Sequence, residues 1–129
     1  MSTLSFIRQR DSMDCGPTCL AMICRYYGKN ISIQTLRDKT EIGKEGVNLL
    51  GINNAAENIG FRTQGAQLTY IQITKEAHLP CVLHWGQNHF VVLYKASNNT
   101  SRIADPGRGL IKLDKTNFLK QWASATINN

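Results

Sequence analysis

The chain has 129 residues, 42% of them hydrophobic and 19% charged, with a formal net charge of +6. That length suits one domain, since domains commonly run to about 100–150 residues, and the composition excludes a disordered or fibrous chain. The longest clean apolar run, Phe90-Val91-Val92-Leu93-Tyr94, is far short of the roughly 20 residues a membrane helix needs. Lys and Arg are scattered rather than clustered, which argues for a solvated surface and against a nucleic-acid footprint.

Taken in chain order, Met1 to Asp14 carry Arg8 and Arg10 with no apolar stretch behind them, so no secretory signal is expected. Residues 17–27 start at Pro17, suited to a first helical position, and stop at Gly28; Leu20, Ile23, Cys24 and Tyr27 form an apolar stripe at helical spacing. Cys15, Cys19 and Cys24 crowd into this segment. On a helix the first two stand one turn apart and the third points away, a poor disulfide framework. Free thiols in the cytoplasm are therefore expected. A second helix over about 33–39 takes Ser32 as N-cap, and a third runs from Asn48 as N-cap through Leu49, Ile52, Ala55, Ala56 and Ile59 to Gly60. Gly43 and Gly46 break the chain between them.

After Gly60 the pattern changes. Residues 61–66 read as a strand and 69–77 as a short helix ahead of Pro80. Residues 81–85, 90–96, 102–104 and 110–113 read as strands separated by turn material at 86–88, 97–100 and 105–107. Successive hairpins of this kind build an antiparallel sheet, and 116–122 closes as an amphipathic helix. The expectation is an α+β fold in one domain: a helical half over about 1–60, a sheet half over about 61–122 and a polar tail at 123–129.

The sharpest chemical feature is Asp14-Cys15-Gly16-Pro17. Cys15 starts a helix, where unpaired backbone N–H groups and the helix dipole favour negative charge on sulfur, and Gly16 lets another backbone approach. Cys19, Cys24 and Cys81 sit in apolar runs and read as small buried hydrophobes. A sulfur nucleophile needs a base, and the base an orienting acceptor. Among the three histidines, His78 reads as surface and His84 as core or rim, whereas His89 stands where a turn enters a strand. If strands 90–96 and 102–104 form a hairpin, Asp105 returns to the His89 end of the sheet and accepts from its imidazole; read alone, Asp105 is an Asp-Pro turn starter. The Cys15 N–H supplies one donor for an oxyanion, and the Gln9 amide is the upstream candidate for another. Trp85 reads equally as cleft wall or core. Cys15, Cys19, His84 and His89 lack the tight Cys pairs of a zinc site, so neither a metal nor another cofactor is expected.

The stretch Gln9…Asp14-Cys15-Gly16-Pro17-Thr18-Cys19-Leu20-Ala21-Met22-Ile23, followed by Tyr26-Tyr27-Gly28, resembles the opening of the double-glycine leader peptidases. These are papain-like cysteine protease domains at the N-terminus of bacterial ABC transporters that export bacteriocins and peptide signals. Later segments fit as well: Leu36-Arg37, Ala55-Ala56 with Gly60-Phe61, Leu79-Pro80, His89-Phe90-Val91-Val92-Leu93, Ala104-Asp105-Pro106 with Gly109, and Phe118…Trp122. The resemblance spans about residues 5 to 122. It implies a papain-like fold, with Cys15 as nucleophile, His89 as general base and then acid, Asp105 orienting His89, and Gln9 sharing the oxyanion hole with the Cys15 N–H. It implies as substrate a leader peptide cut after a Gly-Gly pair, with Gly16 and Trp85 as candidate substrate-binding residues. The implied partners are the transmembrane and nucleotide-binding domains of a transporter, at the cytosolic face of the bacterial inner membrane, and no nucleic acid. Thr18 stands where that family often has alanine. The tail at 123–129, polar where a transporter would continue towards membrane helices, suggests either an excised domain or a free-standing relative. Two further readings stay open: a non-catalytic substrate-docking adaptor of an exporter, and another papain-like thiol acyltransferase or amidase.

Overall fold

Helices come first and the sheet second. In the computed structural model, which describes residues 4–11, 13–40, 49–61, 69–75, 78–86 and 89–123, α1 spans Cys15–Tyr26, α2 Ile33–Thr40, α3 Leu49–Asn58 and α4 Tyr70–Lys75. Then follow β1 Cys81–Trp85, β2 His89–Ala96, β3 Thr100–Asp105, β4 Gly109–Asp114 and α5 Lys115–Ala123. The sheet is an antiparallel meander in the order β1-β2-β3-β4, as the hairpin spacing predicts. The strand expected over 61–66 and the Asn48 cap fall outside the described residues.

Local chemistry sets the ends of these elements. α1 stops in a Schellman turn: Gly28 takes φ +79°, its N–H bonds to the Arg25 carbonyl, and the Lys29 N–H reaches back to the Cys24 carbonyl at 2.7 Å. α3 ends the same way through Gly60 and Phe61. At helix starts, the Ser32 hydroxyl accepts the Thr35 N–H, Thr69 and Gln72 cap one another reciprocally, and the Asp114 carboxylate takes the Asn117 N–H at 2.8 Å. α1 differs: Asp14 stands at its N-cap position yet makes no side-chain capping bond.

The sheet carries a core on each face, as strand alternation requires. Phe90, Val92 and Ala104 meet Cys19, Leu20, Met22 and Ile23 of α1, with Leu36 of α2 and Ile52, Ala55 and Ala56 of α3 behind. On the other face Leu83, Trp85, Val91, Leu93 and Ile103 pack on Phe118 and Trp122 of α5 and on Tyr70 and Ile73 of α4. Phe118 is fully buried and meets the rings of Tyr70, Trp85 and Trp122 at 5.2–5.4 Å. The helical half therefore leans on the sheet through α1, with Cys15 in the first of these clusters.

Candidate active site

Three side chains from three elements converge. Cys15 is the first residue of α1, starting two residues earlier than Pro17, because the Asp14 carbonyl already accepts the Thr18 N–H at 2.9 Å. The N–H groups of that first turn point out of the helix end. His89 opens β2, opposite Trp85 across the β1–β2 pair, and Asp105 closes β3. The register Val92↔Ala104 puts Asp105 one residue beyond that pair, diagonal to His89. As a result His89 Nε2 lies 2.7 Å from Asp105 Oδ1, and the imidazole is also hydrogen-bonded to the Cys15 side chain.

The electrostatics follow from this line. The hydrogen bonds to Asp105 and to Cys15 raise the pKa of His89 to about 9, against the opposing effect of burial. Burial would push the Asp105 carboxyl up, but the His89 hydrogen bond, the Gly107 N–H and the charges of His89 and Arg108 together hold it below its usual value. The Gly107 N–H reaches Asp105 Oδ1 at 2.9 Å, and Asp105 is only 2% exposed. At neutral pH the histidine is thus an imidazolium held on a buried carboxylate and hydrogen-bonded to the Cys15 side chain.

The remaining thiols look different. Burial pushes Cys19 and Cys24 up, and Cys81 up to about 12. Cys19 and Cys24 are buried, as their apolar surroundings in the sequence indicate, whereas Cys81 is only partly buried against the second cluster. His84 stacks on Phe90 at 5.0 Å and burial lowers its pKa, while His78 is exposed. Neither joins the Cys15–His89–Asp105 line. Among the described residues no cluster of three or more His, Cys, Asp or Glu side chains is arranged to hold a metal.

Gln9 is fastened to the turn after Asp105. Its backbone N–H donates to the Pro106 carbonyl at 2.9 Å, and a Cβ built on Gly107 would meet Gln9 Oε1 at 3.4 Å and Asp105 Oδ1 at 3.6 Å. One N–H of the Gln9 amide goes to the Asp11 carbonyl, which leaves the second for a ligand. Gly16 is buried in the first turn of α1. Trp85 is 7% exposed and stacks edge-on against Phe118, so its side chain belongs to the second core while its backbone pairs with His89.

One contact of the site has no sequence signal. Asp14, 5% exposed, faces Arg37 of α2, with Arg37 Nε 2.8 Å from Asp14 Oδ1. Asp14 and Arg37 are 23 positions apart on different helices, and no periodicity or motif links them. Only the adjacency of an acidic N-cap to Cys15 could have drawn attention to it.

A cysteine at a helix start, a histidine and a carboxylate on neighbouring strands, and a helical half packed on an antiparallel sheet define a papain-like cysteine peptidase domain. The chain belongs to the Peptidase C39 family, whose model matches residues 3–128. It is 40% identical over 121 residues to a colicin V secretion/processing ATP-binding protein of Escherichia coli, covering 94% of this chain and 17% of that protein. It is 33% identical over 128 residues to a lactococcin-G-processing and transport ATP-binding protein of Lactococcus lactis subsp. lactis, covering 94% of this chain and 18% of that one. The chain thus spans less than a fifth of the length of these curated relatives. Among solved structures it is similar to a double glycine motif protease from an AMS/PCAT transporter in complex with the leader peptide, with a TM-score of 0.88 at 30% identity, covering 95% of this chain and 88% of that one. It is also similar to the peptidase domain of Streptococcus ComA, a bi-functional ABC transporter involved in a quorum-sensing pathway, with a TM-score of 0.85 at 30% identity, covering 95% and 94%.

Proposed function

We propose that this domain is a leader peptidase: it cuts a peptide precursor on the carboxyl side of a Gly-Gly pair, in step with export by an ABC transporter. The observation that carries the chemistry is the hydrogen-bonded line Cys15–His89–Asp105, with its 2.7 Å bond between imidazole and carboxylate. The double-glycine specificity and the link to export rest on the relatives, which include a double glycine motif protease and secretion/processing ATP-binding proteins.

The steps follow from the geometry. Cys15 sulfur, its proton held by His89, attacks the carbonyl carbon of the second glycine, and the carbonyl π electrons move onto oxygen. The Cys15 N–H at the helix start and the free N–H of the Gln9 amide stabilise that oxyanion. When the intermediate collapses, the C–N bond breaks and His89 delivers its proton to the departing amine, leaving a thioester on Cys15. His89, now neutral, takes a proton from water, whose oxygen attacks the thioester; the C–S bond breaks and the released sulfur again pairs with the imidazolium. Asp105 keeps its charge throughout, fixing the ring and favouring its protonated form. Gly16 leaves room for the substrate backbone beside the sulfur, and glycines in the substrate suit a narrow approach between helix and strand ends. Trp85 acts as packed support beneath His89.

In a longer protein the partners would be membrane-spanning and nucleotide-binding domains, with this domain on the cytosolic side. Among the described residues no helix is long and apolar enough to cross a membrane. The test is cleavage of a synthetic leader ending in Gly-Gly and extended by a short cargo, with fragments identified by mass. Cleavage after the second glycine that drops by on the order of 10⁶-fold in Cys15→Ala, with leader binding retained, supports the reading. A Cys15→Ala protein that cleaves at the normal rate would refute the assigned nucleophile, and a wild-type protein that binds the leader without cutting it would favour the docking-adaptor reading.

A further inference from the structure

The residue before the nucleophile carries a buried carboxylate, and its handling sets it apart from the other helix starts. Asp114, Ser32 and Thr69 each spend their side-chain oxygen on a backbone N–H of the helix they begin. Asp14 occupies the same position on α1 without making that bond. Its carboxylate is 7% exposed and turned to Arg37 of α2, Nε to Oδ1 at 2.8 Å. The pair is not aligned as a hydrogen bond, so charge rather than a bidentate fork joins the two. The local surroundings are otherwise negative or reactive. Asp11 adds its charge to Asp14 from the preceding turn, Cys15 follows directly in sequence, and the charge of Asp105 reaches Cys19 one turn further along α1. Against these groups stand three cations: His89 and Arg108 beside Asp105, and Arg37 beside Asp14.

We infer that Arg37 is a positioning residue for the peptidase reaction: from α2 it neutralises the Asp14 carboxylate, so that negative charge can form on the Cys15 sulfur and on the oxyanion at the Cys15 N–H. This rests on the reading of Cys15 as nucleophile. An unpaired buried carboxylate on the residue before the nucleophile would oppose both, whereas the guanidinium 2.8 Å from it removes the opposition and ties the start of α1 to α2. The arrangement also explains why the acid at this N-cap forgoes capping, since a carboxylate bonded to the first-turn N–H groups would compete with the substrate for the helix end.

The experiment measures, on the whole chain, the pH dependence of iodoacetamide alkylation at Cys15, mapped by peptide mass, together with kcat and KM on the Gly-Gly leader peptide. Removing the charge in Arg37→Met is expected to move the half-maximal alkylation pH up by about one unit and to lower kcat about tenfold, with KM little changed. Arg37→Lys, which keeps the point charge, is expected to stay close to wild type. The double variant Asp14→Asn with Arg37→Met should return both readouts towards wild type even if it melts at a lower temperature, and Asp14→Asn alone, which loses no capping bond, should move the alkylation midpoint down. The inference is overturned if Arg37→Met leaves midpoint and kcat unchanged, if the folded double variant recovers neither, or if Asp14→Asn alone does not shift the midpoint. If wild-type Cys15 is alkylated no faster than Cys19, Cys24 and Cys81, the nucleophile assignment fails, and this inference fails with it.

Discussion

The two walls of the site are built by different means. On the sheet side, His89 and Asp105 stand on neighbouring strands whose ladder fixes their spacing, so the 2.7 Å contact between them follows from register once the hairpin forms. On the helix side Cys15 depends on how α1 lies on the sheet. That placement rests on side-chain packing of Leu20, Met22 and Ile23 against Phe90 and Val92 and on one ion pair to α2. The sheet wall is a local, hydrogen-bonded construction, while the helix wall is a docking of one half of the molecule on the other. Errors in the first should destroy proton handling, and errors in the second should loosen the distance from sulfur to imidazole.

That difference can be sharpened by substitution. Asp105→Ala removes the buried acceptor of His89, and kcat for leader cleavage is expected to fall by about 10²–10⁴-fold. Asp105→Asn, which can still accept from the ring, should lose less, and steady-state kinetics on the two variants separates the orienting role from the charge. A loss no larger in the alanine variant than in the asparagine variant would show that orientation contributes nothing. Behind the sheet wall, Phe118→Ala opens a void among Tyr70, Trp85 and Trp122, and denaturant unfolding should show a loss of about 3–5 kcal/mol. Its kcat at a temperature where the variant is still folded should change little, because the ladder rather than this cluster sets the contact between His89 and Asp105. Gln9→Ala removes the proposed second oxyanion donor and should lower kcat by about 10²–10³-fold with little effect on KM. A wild-type rate would confine Gln9 to holding the turn at Pro106 and Gly107.

The same contrast governs pH. His89 is raised in the folded protein from 6.5 to about 9, so its contribution to stability is complete below the unfolded value and is lost as pH rises through about 9. Asp105 is depressed from 3.8, so its contribution is present above that value and disappears as pH falls through the lower one. Thermal melting should therefore show a plateau between about pH 4 and 6.5 and a decline towards pH 9 that Asp105→Ala makes smaller, since the Cys15 hydrogen bond also raises His89.

Much of this was legible in the chain. The hairpin spacing places β1 to β4, and the turn residues return Asp105 to the His89 end of the sheet. Gly28, Gly60 and Ser32 mark helix ends because each end is a local matter of φ or of one capping oxygen. The Cys15 motif, with Gln9 six residues upstream, is local too. Trp85 could not be assigned from alternation, since a residue on the α5 face and one lining a cleft share the same strand parity; only the position of Phe118 decides it. The ion pair between Asp14 and Arg37 was invisible for a related reason. It depends on the relative placement of α1 and α2, and nothing in the residues between them encodes which charges will meet.

The central claim is that His89 is an imidazolium at neutral pH because sulfur and carboxylate bracket it. The most direct measurement is a titration of the His89 ring by NMR in the intact chain, repeated in Cys15→Ala and Asp105→Asn. A midpoint near 9 in the unaltered protein, falling towards 6.5 when either partner is changed, is the predicted result. A midpoint near 6.5 in the unaltered protein, or one indifferent to both substitutions, would contradict the account.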